Sequence, residues 1–311
     1  MKMFELFYEM KHTPFTRSIP TTALHKTRQS AEVFSRLEYT ARNQLFAVLI
    51  GEPGTGKTST LRRLKDELPE TEYMVLYISD SKLTPRSFYN YLLMQLGCKP
   101  VLQRNTARDN LHKQIEIMRG MQSRKAVVIV DEAHLLSKEM LEEARFLLNY
   151  KMDSENPMAL ILSGQTELWD KLRLSAYRAI LERVDIECFL TPMDFADTRQ
   201  YIEAQLLYAG HSNPIFTEDA MKSIFEFSGG NPRLINRACS QSLIYTGRVY
   251  YPGGGSTRCQ PATPVCPQIQ ADCSSRHPLS GVRVHLQMHS SSWCEDALSY
   301  YSALPPPPFF Q

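Results

Sequence analysis

Between Leu45 and Leu61 the chain reads LFAVLIGEPGTGKTSTL, an apolar run that breaks into a glycine-rich loop and resumes as a helical pattern. The apolar residues Leu45 to Ile50 predict a strand buried on both faces. The glycines at 51, 54 and 56 let successive backbone N–H groups curl around one point, and the positive end of the following helix adds to their pull on an anion. Lys57 can reach β- and γ-phosphates, and the Thr58 hydroxyl can ligate Mg²⁺. Strand, GxxxxGK[ST], helix is the context this loop needs. It predicts a site for a nucleoside triphosphate with Mg²⁺, built from Gly51, Glu52, Pro53, Gly54, Thr55, Gly56, Lys57, Thr58 and Ser59.

The rest of the pattern predicts what surrounds that loop. Upstream, Ala31, Val33, Phe34, Leu37 and Ala41 recur at helical spacing. Downstream, Tyr73–Ser79, Ala126–Val130 and Met158–Leu162 are continuous apolar strands. Between them lie helices at Pro85–Leu96 and Asn105–Met121, and a third that Ser137 can cap. Strands of this kind alternating with helices predict an α/β fold, a parallel sheet covered on both faces. After Met193 the chain reads as helices only, at Asp194–Tyr208, Glu218–Glu226 and Pro232–Tyr245. The expected organisation is an N-terminal segment and helix (1–40), an ATPase core (41–192), a small helical lid (193–248) and a tail (249–311).

Further candidates follow from position. Asp131 and Glu132 end an apolar strand about 75 residues after the loop, the address of a Walker B element. Asp131 would hold Mg²⁺, and Glu132 would orient the water that attacks the γ-phosphate. At the end of the next strand either Ser163 or Gln165 could contact that phosphate. Arg183, just before a last strand at Ile186–Leu190, could reach a neighbouring subunit's nucleotide, with Arg178 as a second candidate. Arg233, in the first turn of a helix begun by Pro232, could reach back to the phosphates.

Composition bounds the remainder. Lys+Arg 35 against Asp+Glu 33 gives a net charge of +2, which announces no nucleic-acid partner. No stretch approaches about 18 apolar residues, and no small-residue cleavage site follows the N-terminal residues, so neither a membrane span nor a secretory signal is expected and cytoplasmic residence follows. Beyond Arg248 the character changes: residues 249–311 hold four of the seven cysteines, nine of the nineteen prolines and no lysine. That composition predicts a mostly disordered tail. Its Cys259, Cys266 and Cys273, with His277, match no usual zinc-ligand spacing.

The set GEPGTGKT, VVIVDEAH, LILSGQTEL, AILERVDI and SGGNPRLINR, in this order, resembles the AAA+ ATPases of the ExeA-like branch, over roughly residues 3–247. That branch includes secretion-pathway ATPases and the helper ATPases of transposons. The resemblance implies a three-layer αβα core with sheet order 5-1-4-3-2, a helical lid, and action as a homo-oligomeric ring or filament. It implies Gln165 or Ser163 as first sensor, Arg183 as arginine finger and Arg233 as second sensor. Its leading functional implication is a helper that assembles with ATP on double-stranded DNA and recruits or regulates a transposase. A regulator of a secretion or envelope assembly that binds no DNA is the alternative. A scaffold that binds nucleotide without turnover fits poorly with an intact Lys57 and Glu132. The sequence itself offers only scattered basic residues for DNA: Arg62, Arg63, Lys65, Arg119, Arg124 and Lys125. Two departures stand out. The membrane span and wall-binding region of secretion-type members do not follow the lid, and the change after Arg248 reads as a loss of coding frame.

Overall fold

The computed structural model describes residues 3–79, 83–148 and 156–250, together with two short strands at 267–271 and 282–286. Helices α1 (Met3–Phe7) and α2 (Arg28–Asn43) lead into β1 (Phe46–Gly51) and α3 (Lys57–Glu67). Next come β2 (Tyr73–Ile78), α4 (Pro85–Gln95), α5 (Arg104–Gln122), β3 (Lys125–Val130) and α6 (Lys138–Leu148). The core closes with β4 (Met158–Gly164), α7 (Thr166–Leu172), α8 (Arg178–Leu181) and β5 (Ile186–Leu190). Helices α9 (Phe195–Tyr208), α10 (Glu218–Ser228) and α11 (Pro232–Tyr250) follow.

The five strands pair in parallel in the order β2-β3-β4-β1-β5, which is 5-1-4-3-2 read from the other edge. Strand side chains alternate faces, so β1 sends Val48 and Ile50 one way and Ala47 and Leu49 the other. The first face is covered by α4 to α8 through Leu92, Leu111, Ile115, Met140 and Leu168, all buried. The second is covered by α2 and α3 through Phe34, Leu37, Leu61 and Leu64. This double burial is why the strands read as continuous apolar runs.

Local chemistry sets the element ends. Thr27 caps α2 by accepting from the Ser30 N–H at 3.1 Å. Gln44, left-handed at φ 55°, ends it and turns the chain into β1. Ser137 caps α6 through the Met140 N–H at 3.2 Å, as expected.

The lid has its own core, in which Tyr201, Ile202, Leu206, Met221, Ile224 and Ile235 pack with Phe4, Tyr8, Met10 and Phe15 from the N-terminal segment. That segment therefore joins the two lobes: residues 4–15 pack in the lid, and α2 packs on the sheet. Arg62 on α3 holds the stretch between them by donating to the carbonyls of Arg17 at 3.1 Å and Ile19 at 2.8 Å. Among the described residues no helix is long and apolar enough to cross a membrane.

Within the tail, β6 (Pro267–Ala271) and β7 (Val282–Leu286) pair antiparallel. In β7, Val282, Val284 and Leu286 recur with period two. The expectation of disorder for the rest of the tail, and the tail cysteines with His277, lie outside the described residues.

Candidate functional site

The loop after β1 turns at Gly54, whose φ of 92° favours glycine, and Gly56 then caps α3 without a side chain. The first-turn N–H groups of α3 thus face the loop, the arrangement that attracts phosphate. Lys57 is buried, and its ammonium donates to the carbonyls of Gly51 at 2.7 Å and Glu52 at 3.0 Å. Burial lowers the Lys57 pKa; Glu132 and Asp131 oppose that shift, while the positive charge of Arg233 adds to it. Residues from α3, β3 and α11 therefore share one electrostatic space.

Asp131 is the hub of the site. Only 3% exposed, its carboxylate accepts from the hydroxyls of Thr58 at 2.9 Å, Tyr77 at 3.1 Å and Ser163 at 2.9 Å, and from the Glu132 N–H at 3.0 Å. Tyr77 is held protonated: burial first, then Asp131 and Glu132, push its pKa well up. Glu132 has φ 51°, an uncommon conformation for a non-glycine residue. It projects a half-exposed carboxylate whose Oε2 lies 3.5 Å from Nδ1 of His134, a contact longer than a hydrogen bond.

Ser163 and Gln165 part company here. Ser163 is fully buried and bonded to Asp131, whereas Gln165 stands half-buried at the start of α7. The arginines separate as well. Arg233 lies over the loop: a Cβ on Gly54 would come within 2.8 Å of the Arg233 Cβ. Arg183 lies at the opposite end of the strands. Ile186 pairs with Ala47, and Asp185 accepts from the Phe46 N–H at 2.8 Å, so Arg183 stands beside the start of β1, while the loop leaves its end. Six residues of strand separate the two, roughly 20 Å. That is beyond the reach of an arginine side chain to its own chain's loop. Arg178 is exposed and paired with Glu182 at 2.8 Å.

A cavity adjoins the loop between the two lobes. Leu24, His25, Leu190, Met193, Tyr201 and Pro232 are among its lining, which reaches Thr55, Gly56 and Ser59. Its walls thus come from the N-terminal segment, the end of β5 and the lid. His25 meets the Tyr201 ring edge-on at 6.2 Å. Burial lowers its pKa, with Asp197 opposing.

Sequence reasoning missed three participants. Tyr77 lies inside an apolar strand pattern, and His25 carries no local signal for the cavity that it lines. Asn231 reads in the sequence only as part of the break before Pro232, and nothing local announces its donation from Nδ2 to the Pro53 carbonyl at 2.9 Å. The scattered basic residues are largely spoken for. Arg62 holds the N-terminal segment, and Arg63 pairs with Glu67 and lies over Phe34. Arg124 donates to the Tyr73 carbonyl, and Lys125 to that of Arg42. Lys65 and Arg119 lie on the surface.

A family model described as AAA domain matches residues 40–172. General secretion pathway protein A of Aeromonas hydrophila is 32% identical over 251 residues, which cover 78% of this chain and 44% of that protein. The chain thus spans less than half the length of that relative. The Mu-like prophage FluMu DNA transposition protein B of Haemophilus influenzae is 23% identical over 229 residues, covering 72% of this chain and 74% of that protein. The structure of Cdc6p from Pyrobaculum aerophilum shares the fold at a TM-score of 0.58 and 19% identity, covering 76% of this chain and 65% of that one. An AAA domain is thus matched from the end of α2 to α7, on a five-stranded sheet of the order that the AAA+ resemblance implied, in a chain similar both to the secretion protein and to the transposition protein.

Proposed function

We propose that the chain binds Mg²⁺–ATP between its lobes, hydrolyses it, and uses the cycle to assemble on double-stranded DNA and recruit or regulate a transposase. The observation that carries the catalytic part is the Thr58–Asp131 pair, two oxygen ligands brought within 2.9 Å beside Lys57 and Glu132. Oxygen donors of this kind suit Mg²⁺, which when bound would neutralise charge on the β- and γ-phosphates.

The protein's own groups supply the rest. Lys57 exchanges the Gly51 and Glu52 carbonyls for phosphate oxygens, and the loop's N–H groups hold the remaining charge. The base enters the cavity between His25, Met193 and Tyr201. Glu132 orients the attacking water, and Ser163 keeps Asp131 in place. Gln165, whose side chain is not given over to Asp131, contacts the γ-phosphate as first sensor. Arg233 reads the phosphates from the lid. Arg183 acts on the nucleotide of a neighbouring copy, and its distance from its own loop supports this. Such an enzyme works as a homo-oligomer, ring or filament, in the cytoplasm with the DNA.

The likeness to a DNA transposition protein supports the DNA-borne role. The higher identity to a secretion protein favours a second reading, a regulator of an envelope assembly that needs no DNA. Titrating double-stranded DNA with ATP, ADP or no nucleotide, at several salt concentrations, decides between them. Binding that requires ATP and weakens steeply with salt supports the transposition role. Absence of binding at low salt with ATP would leave the secretion-type reading.

A further inference from the structure

We infer that Asn231 is a positioning residue: it ties the P-loop to the first turn of α11 and thereby sets where Arg233 stands. The inference rests on the nucleotide-site reading above. Its basis is a side chain with two bonds in opposite senses. The Asn231 amide nitrogen donates to the Pro53 carbonyl at 2.9 Å, and its amide oxygen accepts from the Arg233 N–H at 3.0 Å. Its backbone is engaged too, with the N–H on the Ser228 carbonyl at 3.0 Å and the carbonyl accepting from Ile235 at 2.9 Å.

The surroundings are shaped for this contact. A Cβ on Gly54 would lie 2.6 Å from the Asn231 amide oxygen, so the close approach requires a glycine in the loop. On the other side Gly230, at φ 77°, leaves no room for a side chain, since a Cβ there would lie 1.9 Å from the Met193 carbonyl. Met193 in turn donates to the Gly230 carbonyl at 2.9 Å. The segment 230–233 is thus clamped between the hinge that follows β5 and the loop that follows β1.

Only a carboxamide of this length supplies both bonds. Aspartate keeps the acceptor for the Arg233 N–H but sets a carboxylate oxygen against the Pro53 carbonyl. Serine keeps a cap alone. Because Asn231 acts through Arg233, its loss should appear as a loss of discrimination for the γ-phosphate, which ATP carries and ADP lacks.

The test is a double-mutant cycle in the full chain, on a Glu132→Gln background that holds ATP unhydrolysed. Affinities for Mg²⁺–ATP and Mg²⁺–ADP are measured for the parent, Asn231→Asp, Arg233→Ala and the double variant. The expected result is an ATP preference that falls about five- to tenfold in Asn231→Asp, as for the loss of one hydrogen bond, with the nucleotide-free melting temperature unchanged. In the Arg233→Ala background the same change should add nothing to the ratio. Should Asn231→Asp unfold, Asn231→Ser carries the same expectation. An unchanged ATP-to-ADP ratio, or losses that simply add, overturns the role of Asn231 while leaving the nucleotide site standing. A parent that binds neither nucleotide sinks both.

Discussion

Thr58 and Asp131, 73 residues apart in sequence, meet at 2.9 Å across the ends of two strands that are not neighbours in the sheet. β4 lies between β1 and β3 and contributes Ser163 to the same carboxylate. The geometry predicts two different failures. Asp131→Ala strands three hydroxyls and an N–H, and should cost about 3 kcal/mol in denaturant unfolding. Asp131→Asn keeps the shape and should unfold close to the parent, yet weaken the Mg²⁺ dependence of ATP binding by tenfold or more. If both variants retained the parent's Mg²⁺ response, Asp131 would not be the metal ligand.

Lys57 and Glu132 should separate binding from turnover. Lys57→Ala removes the one ammonium that already sits inside the loop, so ATP affinity should be lost. Glu132→Gln keeps the size of the side chain, while Lys57 bonds the Gly51 and Glu52 carbonyls and Thr58 bonds Asp131, so binding should persist while phosphate release stops. Hydrolysis at the parent rate by Glu132→Gln would remove Glu132 from the water-orienting role.

The distance between Arg183 and its own loop makes the third prediction a mixing experiment. Arg183→Ala and Glu132→Gln proteins should each be inactive, and mixing them should restore a part of the turnover. In a mixed assembly one interface combines an intact Glu132 with an intact Arg183. No recovery, with mixed oligomers demonstrated, would return the choice to Arg178.

The parts of this protein legible in its sequence are those where chain order and space agree. The loop, the strand before it and the Asp131-Glu132 pair each lie in one short stretch, and doubly buried strands announce themselves as apolar runs. Phe4, Tyr8, Met10 and Phe15 carry the same apolar signal, but nothing local says that they complete a core formed some 200 residues later. The different surroundings of Ser163 and Gln165 are hidden from sequence for a related reason. Two residues apart at the end of one strand, they differ in whether a hydroxyl finds Asp131, and that depends on β3 and β4 being neighbours. What the scattered basic residues do is likewise not local: Arg62, Arg124 and Lys125 each hold a backbone carbonyl from a distant segment.

A pH dependence follows from His25. Burial lowers its folded pKa below the ordinary histidine value of 6.5, with Asp197 opposing, and His112 is shifted the same way by burial. The unfolded chain therefore takes up more protons than the folded one between that lowered value and 6.5. Stability should be fully present above about pH 6.5 and fall as the pH drops through the folded pKa values. Urea midpoints measured from pH 8 to 5 should show this loss, and His25→Phe should make it shallower. An equal slope in that variant would assign the effect elsewhere.

The last prediction concerns the segment that joins the lobes. Phe15 is 6% exposed, meets the Phe216 ring edge-on at 6.4 Å, and its N–H donates to the Gln205 side chain at 3.0 Å. Phe15→Ala should therefore cost about 3–4 kcal/mol, the usual range for a large aromatic removed from a core. Where that cost falls is the sharper question. Phe15 packs in the lid cluster and in neither cluster of the sheet, so the lid should loosen before the sheet does. Hydrogen exchange should quicken first in α9, α10 and α11, while β1, β3 and β4 keep the parent's protection. Because His25 and Tyr201 face each other across the cavity, ATP affinity should fall too, and ATP should recover part of the lost protection. Exchange that quickened equally in the lid and the sheet would show that the two lobes unfold as one unit and that the segment is not a separable joint between them.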